Sequence, residues 1–192
     1  RYGTLDVVSG GRLVLGVGVG TLAEEFDLLG VEMAGRGARA DDAIRALRAS
    51  LSRRQPSYHG THFDYEGFVV DPCAVQERVP IWIGGRTARS LRRAVELGDG
   101  WAPFGLREAE LGPMLAKARE SAEWADRATP PEIVLYPEPP LDPGADPEHA
   151  RDVVGRYERL GTTILNLRLQ HRSLAHCLEQ LQAMVEAVPP AA

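Results

Sequence analysis

The sequence predicts an α/β protein with one parallel sheet, built from about five βα units. Three observations predict it. Short apolar runs without polar alternation suit strands buried on both faces. Stretches with apolar residues three and four apart, the helical spacing, separate those runs. Glycines close three of the helices, at Gly10-Gly11, Gly98 and Gly161. Strands that alternate with helices form a parallel sheet, because each crossover is a helix packed on the sheet.

Taken in order, Arg1 to Val8 reads as the tail of a helix, with Tyr2, Leu5 and Val8 on one face and Ser9-Gly10-Gly11 as its stop. Leu13 to Gly18 is a first buried strand. Asp41 to Arg53 is a helix with Ala43, Ile44, Leu47 and Leu51 as its stripe. Gln55 to Val79 reads as a loop with a small hairpin pairing Phe63-Asp64-Tyr65 with Phe68-Val69-Val70. Pro80 to Ile83 is the second strand and Thr87 to Leu97 the helix after it. Gly100-Trp101-Ala102 and the helix Glu108 to Arg127 follow. Ile133 to Tyr136, the helix His149 to Leu160, Thr163 to Leu167 and the helix Leu174 to Val188 complete the series, with Pro189-Pro190 as a stop. Pro137 to Pro147 is a proline-rich loop inside one domain spanning 1–192. Five such units suit an open doubly wound sheet or part of a closed barrel. A complete (β/α)8 barrel takes roughly 250 residues, so three units are expected to be missing before Arg1.

The 192 residues are 44% hydrophobic and 26% charged, with a net charge of -5, which is the composition of a globular domain with a sizeable core. The acidic balance argues against non-specific nucleic-acid binding. No apolar run approaches the ~20 residues that span a bilayer, and a cytoplasmic location is expected. Cys73 and Cys177 fit no metal spacing and read as free thiols. His59, His62 and Asp64 make a poor metal site, and His149, His171 and His176 read as solvated. No metal is expected.

Two glycine turns carry the functional signal. Gly18-Val19-Gly20-Thr21-Leu22-Ala23 satisfies the loose dinucleotide fingerprint, but Glu24 and Glu25 would oppose a pyrophosphate there, and no acidic strand end follows at the right distance. Gly18 and Gly20 instead let a flat ligand or a neighbouring backbone come close. Ile83-Gly84-Gly85-Arg86-Thr87 runs from a buried strand into a helix with no acidic residue before Glu96. Exposed amides and the positive end of the helix dipole make such a start an anion site, to which Arg86 adds charge and Thr87 a hydroxyl. The alternative is a plain helix cap formed by Thr87. Trp101, at a strand end, either lines a pocket or fills the core. No residue stands out as a catalytic acid or base.

The blocks Ser9 to Leu13, Gly16 to Gly20, Glu24-Glu25-Phe26, Gly30-Val31 and Arg36 to Arg39 resemble the luciferase-like monooxygenase superfamily. Val79 to Gly85, Leu91 to Ala94 and Leu97 to Trp101 are similar to its F420-dependent branch. The resemblance implies a TIM-type (β/α)8 barrel, here incomplete, and a homodimer. It implies coenzyme F420, or alternatively FMN, at the C-terminal strand ends, and transfer of a hydride or two electrons to or from a small organic substrate. It places the cofactor phosphate at Gly84, Gly85, Arg86 and Thr87. The ring or substrate comes near Gly18, Gly20 and Thr21, where Thr21 replaces a frequent aromatic residue; Trp101 joins Thr21 in the substrate pocket. The superfamily also contains shortened members that hold flavin without turnover. A non-catalytic barrel piece, binding flavin or serving only dimerisation, is the alternative expectation.

Overall fold

In the computed structural model, which describes residues 1–189, strands and helices alternate along the chain. α1 (Tyr2–Ser9) ends at Gly10, whose φ of 66° turns its amide onto Val7 O and that of Gly11 onto Asp6 O. β1 (Leu15–Val17), α2 (Ala23–Leu28) and α3 (Arg36–Ser50) follow. β2 (Tyr58–His59) and β3 (Asp64–Tyr65) form the hairpin. Then come β4 (Ile81–Gly84), α4 (Ala88–Leu97), β5 (Gly100–Ala102), α5 (Glu108–Arg119) and α6 (Ala122–Ala125). β6 (Glu132–Leu135), α7 (Pro147–Arg159), β7 (Ile164–Leu165) and α8 (Leu174–Ala187) complete the chain. Of the expected terminal stop, Pro190 lies outside the described residues.

Three details differ from expectation. The hairpin pairs Tyr58 with Tyr65 and His59 with Asp64, so Phe68 to Val70 is not its second strand. Asp42 on α3 decides this: its carboxylate accepts the Tyr58 hydroxyl at 2.5 Å and the amides of His62 and Phe63 at 2.6 and 3.1 Å, which pins the intervening turn to the helix. α3 begins at Arg36, five residues earlier than its apolar stripe predicts. The helix expected from Glu108 to Arg127 breaks after Arg119, where Ser121 accepts the amide of Trp124 and caps a new turn.

The sheet order is β1-β4-β5-β6-β7, all parallel. A doubly wound sheet reverses its strand order at a switch point. An unbroken order with right-handed crossovers instead sets the helices on one face, which is the wall of a TIM-type barrel. Among the described residues the wall is not closed: β1 and β7 are its edges. Leu15, Ile81, Ile83, Trp101, Ile133 and Leu135 fill the helix side and are buried with Leu91, Val95, Leu115 and Val153. The opposite side carries the register row Gly16, Trp82, Gly100 and Glu132. Gly100 is forced by its neighbour, since a Cβ there would stand 2.6 Å from the Trp82 ring.

At the N-terminal ends of the strands Asp99 takes the amide of Ile81 at 2.7 Å, the guanidinium of Arg78 at 2.9 Å and that of Arg48. That end of a barrel serves stability, leaving the C-terminal end for chemistry. Both cysteines are free and half-buried. Among the described residues no helix is long and apolar enough to cross a membrane.

Candidate functional site

The C-terminal ends of β1 and β4 open into one cavity of about 790 Å³. Gly18, Gly20 and Thr21 form one wall and Gly84, Gly85, Arg86 and Thr87 another, so the two glycine turns read separately in the sequence meet at one place. The starts of α3 and α4 supply the rest, through Gly35 to Ala38, Arg89, Ser90 and Arg93, with Phe104 at the rim.

The turn after β4 is built to keep backbone amides open. Gly85 has φ of 113°, a conformation that side chains rarely adopt, and a Cβ on it would sit 3.0 Å from that of Ser90. Thr87 caps α4 in a reciprocal box: its hydroxyl accepts the amide of Ser90 at 3.2 Å, and the Ser90 hydroxyl accepts the amide of Thr87 at 3.2 Å. The plain-cap reading of Thr87 is therefore correct as far as it goes. The cap leaves the amides of Arg86, Ala88 and Arg89 without a partner among the described residues. The first turn of α3 repeats the pattern. Gly35 is its N-cap with no side-chain bond, and the amides of Gly37 and Ala38 have no partner among the described residues.

Charge follows the same plan. Arg36, Arg86, Arg89 and Arg93 face the cavity, and among the described residues its lining contains no Asp or Glu, although the chain carries net charge -5. Arg86 is exposed, lies over the Phe104 ring at 6.0 Å and forms no ion pair among the described residues. Arg36 holds the β1 turn in place, donating to the carbonyl of Gly20 at 3.3 Å. At Gly18 a Cβ would meet nothing within 4 Å, so the missing side chain is free volume. Arg93 is paired with Asp41, but open amides, two helix starts and the uncancelled charges of Arg36, Arg86 and Arg89 are the donor set of a phosphate site, and these residues fit a phosphate-bearing group.

Trp101 requires a correction. It does not line the cavity; its side chain is fully buried on the helix side of the sheet, where Nε1 donates to Ser90 Oγ at 3.2 Å. It supports the cap from beneath. The sequence reading also missed Arg89, Arg93, Ser90 and Phe104. For the α3 start the signal was present, since Gly35-Arg36-Gly37 precedes a helix with no acid before Asp41. For Phe104 there was none. Elsewhere, His59 Nδ1 pairs with Asp64 at 2.6 Å, and His176 is half-buried beside Gln180 rather than solvated. Glu24 and Glu25 lie in α2, outside the cavity lining.

The luciferase-like monooxygenase family profile matches residues 1–186. An uncharacterized protein of Mycobacterium tuberculosis is 34% identical over 133 residues, 69% of this chain and 46% of that protein. The 5,10-methylenetetrahydromethanopterin reductase of Archaeoglobus fulgidus is 32% identical over 131 residues, 65% of this chain and 39% of that protein. The chain thus spans less than half the length of these relatives. In fold it is similar to the monooxygenase RslO1 from Streptomyces bottropensis, with a TM-score of 0.72 at 19% identity over 97% of this chain and 70% of that one. An F420-dependent secondary alcohol dehydrogenase gives 0.60 at 16% identity over 97% and 64%. With the profile covering nearly its whole length and an unbroken barrel wall beneath its glycine turns, the chain belongs to the luciferase-like monooxygenase family.

Proposed function

We propose that the cavity at Gly18 to Thr21 and Gly84 to Thr87 holds a flavin-type cofactor by its phosphate, with coenzyme F420 as the cofactor and FMN as the alternative. The protein is then an oxidoreductase that moves a hydride or two electrons to or from a small organic substrate. The carrying observation is the set of open amides at one strand-end cavity with Arg36, Arg86 and Arg89, which form no ion pair among the described residues, and with no acidic residue in the described lining. The name of the F420-dependent secondary alcohol dehydrogenase supports F420, and the names of the Archaeoglobus reductase and the Streptomyces monooxygenase support redox chemistry.

In this reading Arg86, Thr87 and the amides of Arg86, Ala88 and Arg89 hold the phosphate. Thr87 accepts from Ser90 and keeps its own hydroxyl hydrogen to donate. Gly18 leaves room for the flat ring, Gly20 lines the cavity in a turn whose Cβ direction the Phe26 ring fills, and Thr21 borders the substrate. The bound cofactor supplies the two-electron chemistry, while the protein supplies binding and orientation. A cytoplasmic homodimer acting without nucleic-acid or membrane partners completes the proposal.

A second reading has its own observation. Among the described residues the cavity lining contains no Asp, Glu, His, Cys, Tyr or Lys, so it offers anion binding without a proton donor or acceptor of ordinary pKa. That favours a chain that binds flavin without turnover. One set of titrations tests both. F420 and FMN are followed by fluorescence beside their phosphate-free counterparts, the deazaflavin chromophore and riboflavin. At least about tenfold tighter binding of one phosphate-bearing partner is expected for a charged, desolvated contact of this kind. Equal binding of the counterparts overturns the proposal, and turnover with the reduced cofactor separates enzyme from carrier.

A further inference from the structure

We infer that Arg93, together with Asp41, is the positioning residue of the anion cradle: it locks the first turn of α3 beside the first turn of α4, so that the open amides of both helices face one ligand. This rests on the reading of the cavity as a phosphate site and goes beyond it, because Arg93 itself is not assigned to the phosphate.

Arg93 lies in the second turn of α4 at 5% exposure. A helical side chain leans toward the N-terminus of its own helix, here toward the cavity that Arg93 lines. Its Nε donates to Asp41 in α3 and its Nη2 donates to the carbonyl of Gly37 at 3.2 Å. A guanidinium taken out of water is tolerated only where its charge and its N–H groups are matched. The Asp41 carboxylate supplies the match, and the planar fork reaches the Gly37 carbonyl at the same time, a geometry that an ammonium does not reproduce. The charge of Arg93 is thus engaged within the protein, whereas Arg86 and Arg89 are exposed and form no ion pair among the described residues. Gly37 is part of the device. A Cβ there would stand 3.2 Å from Arg93 Nη2, so a branched side chain such as valine crowds the fork against its carbonyl.

The cradle is therefore set before the ligand arrives, and a preorganised site avoids the ordering cost that otherwise weakens binding. Releasing Arg93 leaves every phosphate-contacting group in the sequence but lets the two helix starts move apart. Affinity for a phosphate-bearing ligand then falls, while affinity for the same ring without phosphate does not.

The test uses Arg93→Gln, Arg93→Lys and Gly37→Val in the chain as it stands. Each is titrated with F420 and its phosphate-free chromophore, and with FMN and riboflavin, beside circular dichroism and thermal unfolding. Arg93→Gln and Gly37→Val are expected to weaken the phosphate-bearing member by about tenfold, the scale of losing an outer supporting partner, with the phosphate-free member unchanged. Lysine keeps the charge beside Asp41 without the fork, and is expected to restore part of that loss. If Arg93→Gln does not fold, Gly37→Val decides, since it leaves Arg93 and Asp41 in place. If the wild type binds both members of each pair equally, the cradle reading fails. If the wild type discriminates and the folded variants discriminate as strongly, or lose both members alike, the positioning role is overturned and the cradle stands.

Discussion

Gly85 and Ser90 carry the most testable chemistry at the scale of single residues. Any side chain at Gly85 meets the strain of its φ of 113° and the close approach of Ser90, at a cost of about 1–3 kcal/mol. Gly85→Asp and Gly85→Asn share that strain and nearly the same shape, and differ by one negative charge beside the open amides. We expect the aspartate to melt no lower than the asparagine, since a carboxylate beside a helix start is favourable, yet to bind F420 or FMN about tenfold more weakly, from one added repulsion near the phosphate. The gap should narrow in high salt; identical affinities would remove the phosphate from this turn. Ser90→Ala asks a different question. It deletes the acceptor for the Thr87 amide and for Trp101 Nε1, together with the 2.7 Å bond to the Thr87 carbonyl. The cap bond from the amide of residue 90 to the Thr87 hydroxyl stays, but loss of the reciprocal half of the box and an orphaned indole N–H predict about 1–2 kcal/mol of destabilisation in urea unfolding. An unchanged midpoint would show that the Trp101–Ser90–Thr87 chain does not support the cap. The sequence made Gly84 to Thr87 legible because a glycine pair after an apolar run has few physical explanations. Trp101 was not legible, because a strand residue faces either side according to a register that only the pairing partner sets.

Buried carboxylates fasten the elements to one another. Asp42 ties α3 to the β2–β3 hairpin; the Tyr58 hydroxyl first, then the amides of His62 and Phe63, hold its carboxyl below the ordinary range. Asp6 does the same between α1 and residues 75–76. Burial pushes its carboxyl up, but the amides of Gln76, Leu13 and Val75 and the Gln76 side chain outweigh that and leave it lowered. A carboxylate lowered in the native state stabilises the fold above its unfolded value, near pH 4. That contribution is lost as the pH falls through the lower native value. The melting temperature should therefore be flat near neutrality and fall below about pH 4. Asp42→Asn should melt several degrees lower than the wild type at pH 7, with the difference shrinking as acid protonates the wild-type residue. A difference that stays constant down to pH 2 would mean that Asp42 acts by packing alone. The same residue explains an element the sequence did not yield. Helix ends marked by glycine, such as Gly10, were readable because the signal is local. The hairpin partner was not, because Asp42 selects it from about twenty residues away.

At the scale of the molecule, alternation of strands and helices is common to doubly wound sheets and barrels, so the sequence bounded the architecture and the order β1-β4-β5-β6-β7 resolved it. The same order explains why no single motif revealed the cavity: Gly18 and Gly84 become neighbours only when β1 and β4 pair across the α3 and hairpin insertion. This arrangement leaves surfaces that water covers poorly. β1 and β7 present unpaired backbone edges, and Ile164 on the inner side is 37% exposed. On α8, Leu174, Leu178, Leu181 and Val185 recur at helical spacing and are all exposed. Open parallel edges beside an apolar helical row favour pairing with another chain. We expect the chain, studied as it stands, to self-associate, with a mass above one chain by light scattering during gel filtration at micromolar concentration. Leu178→Glu with Leu181→Glu, which place two charges in the row, should shift that mass toward one chain without altering the circular dichroism. Wild-type chain eluting as a monomer at every concentration would show that the α8 row and the sheet edges tolerate water, and the expected homodimer would then have no support in these surfaces. A double variant that stays associated would move the contact from the helix row to the β1 and β7 edges, where a proline in β1 that removes one edge donor becomes the discriminating change.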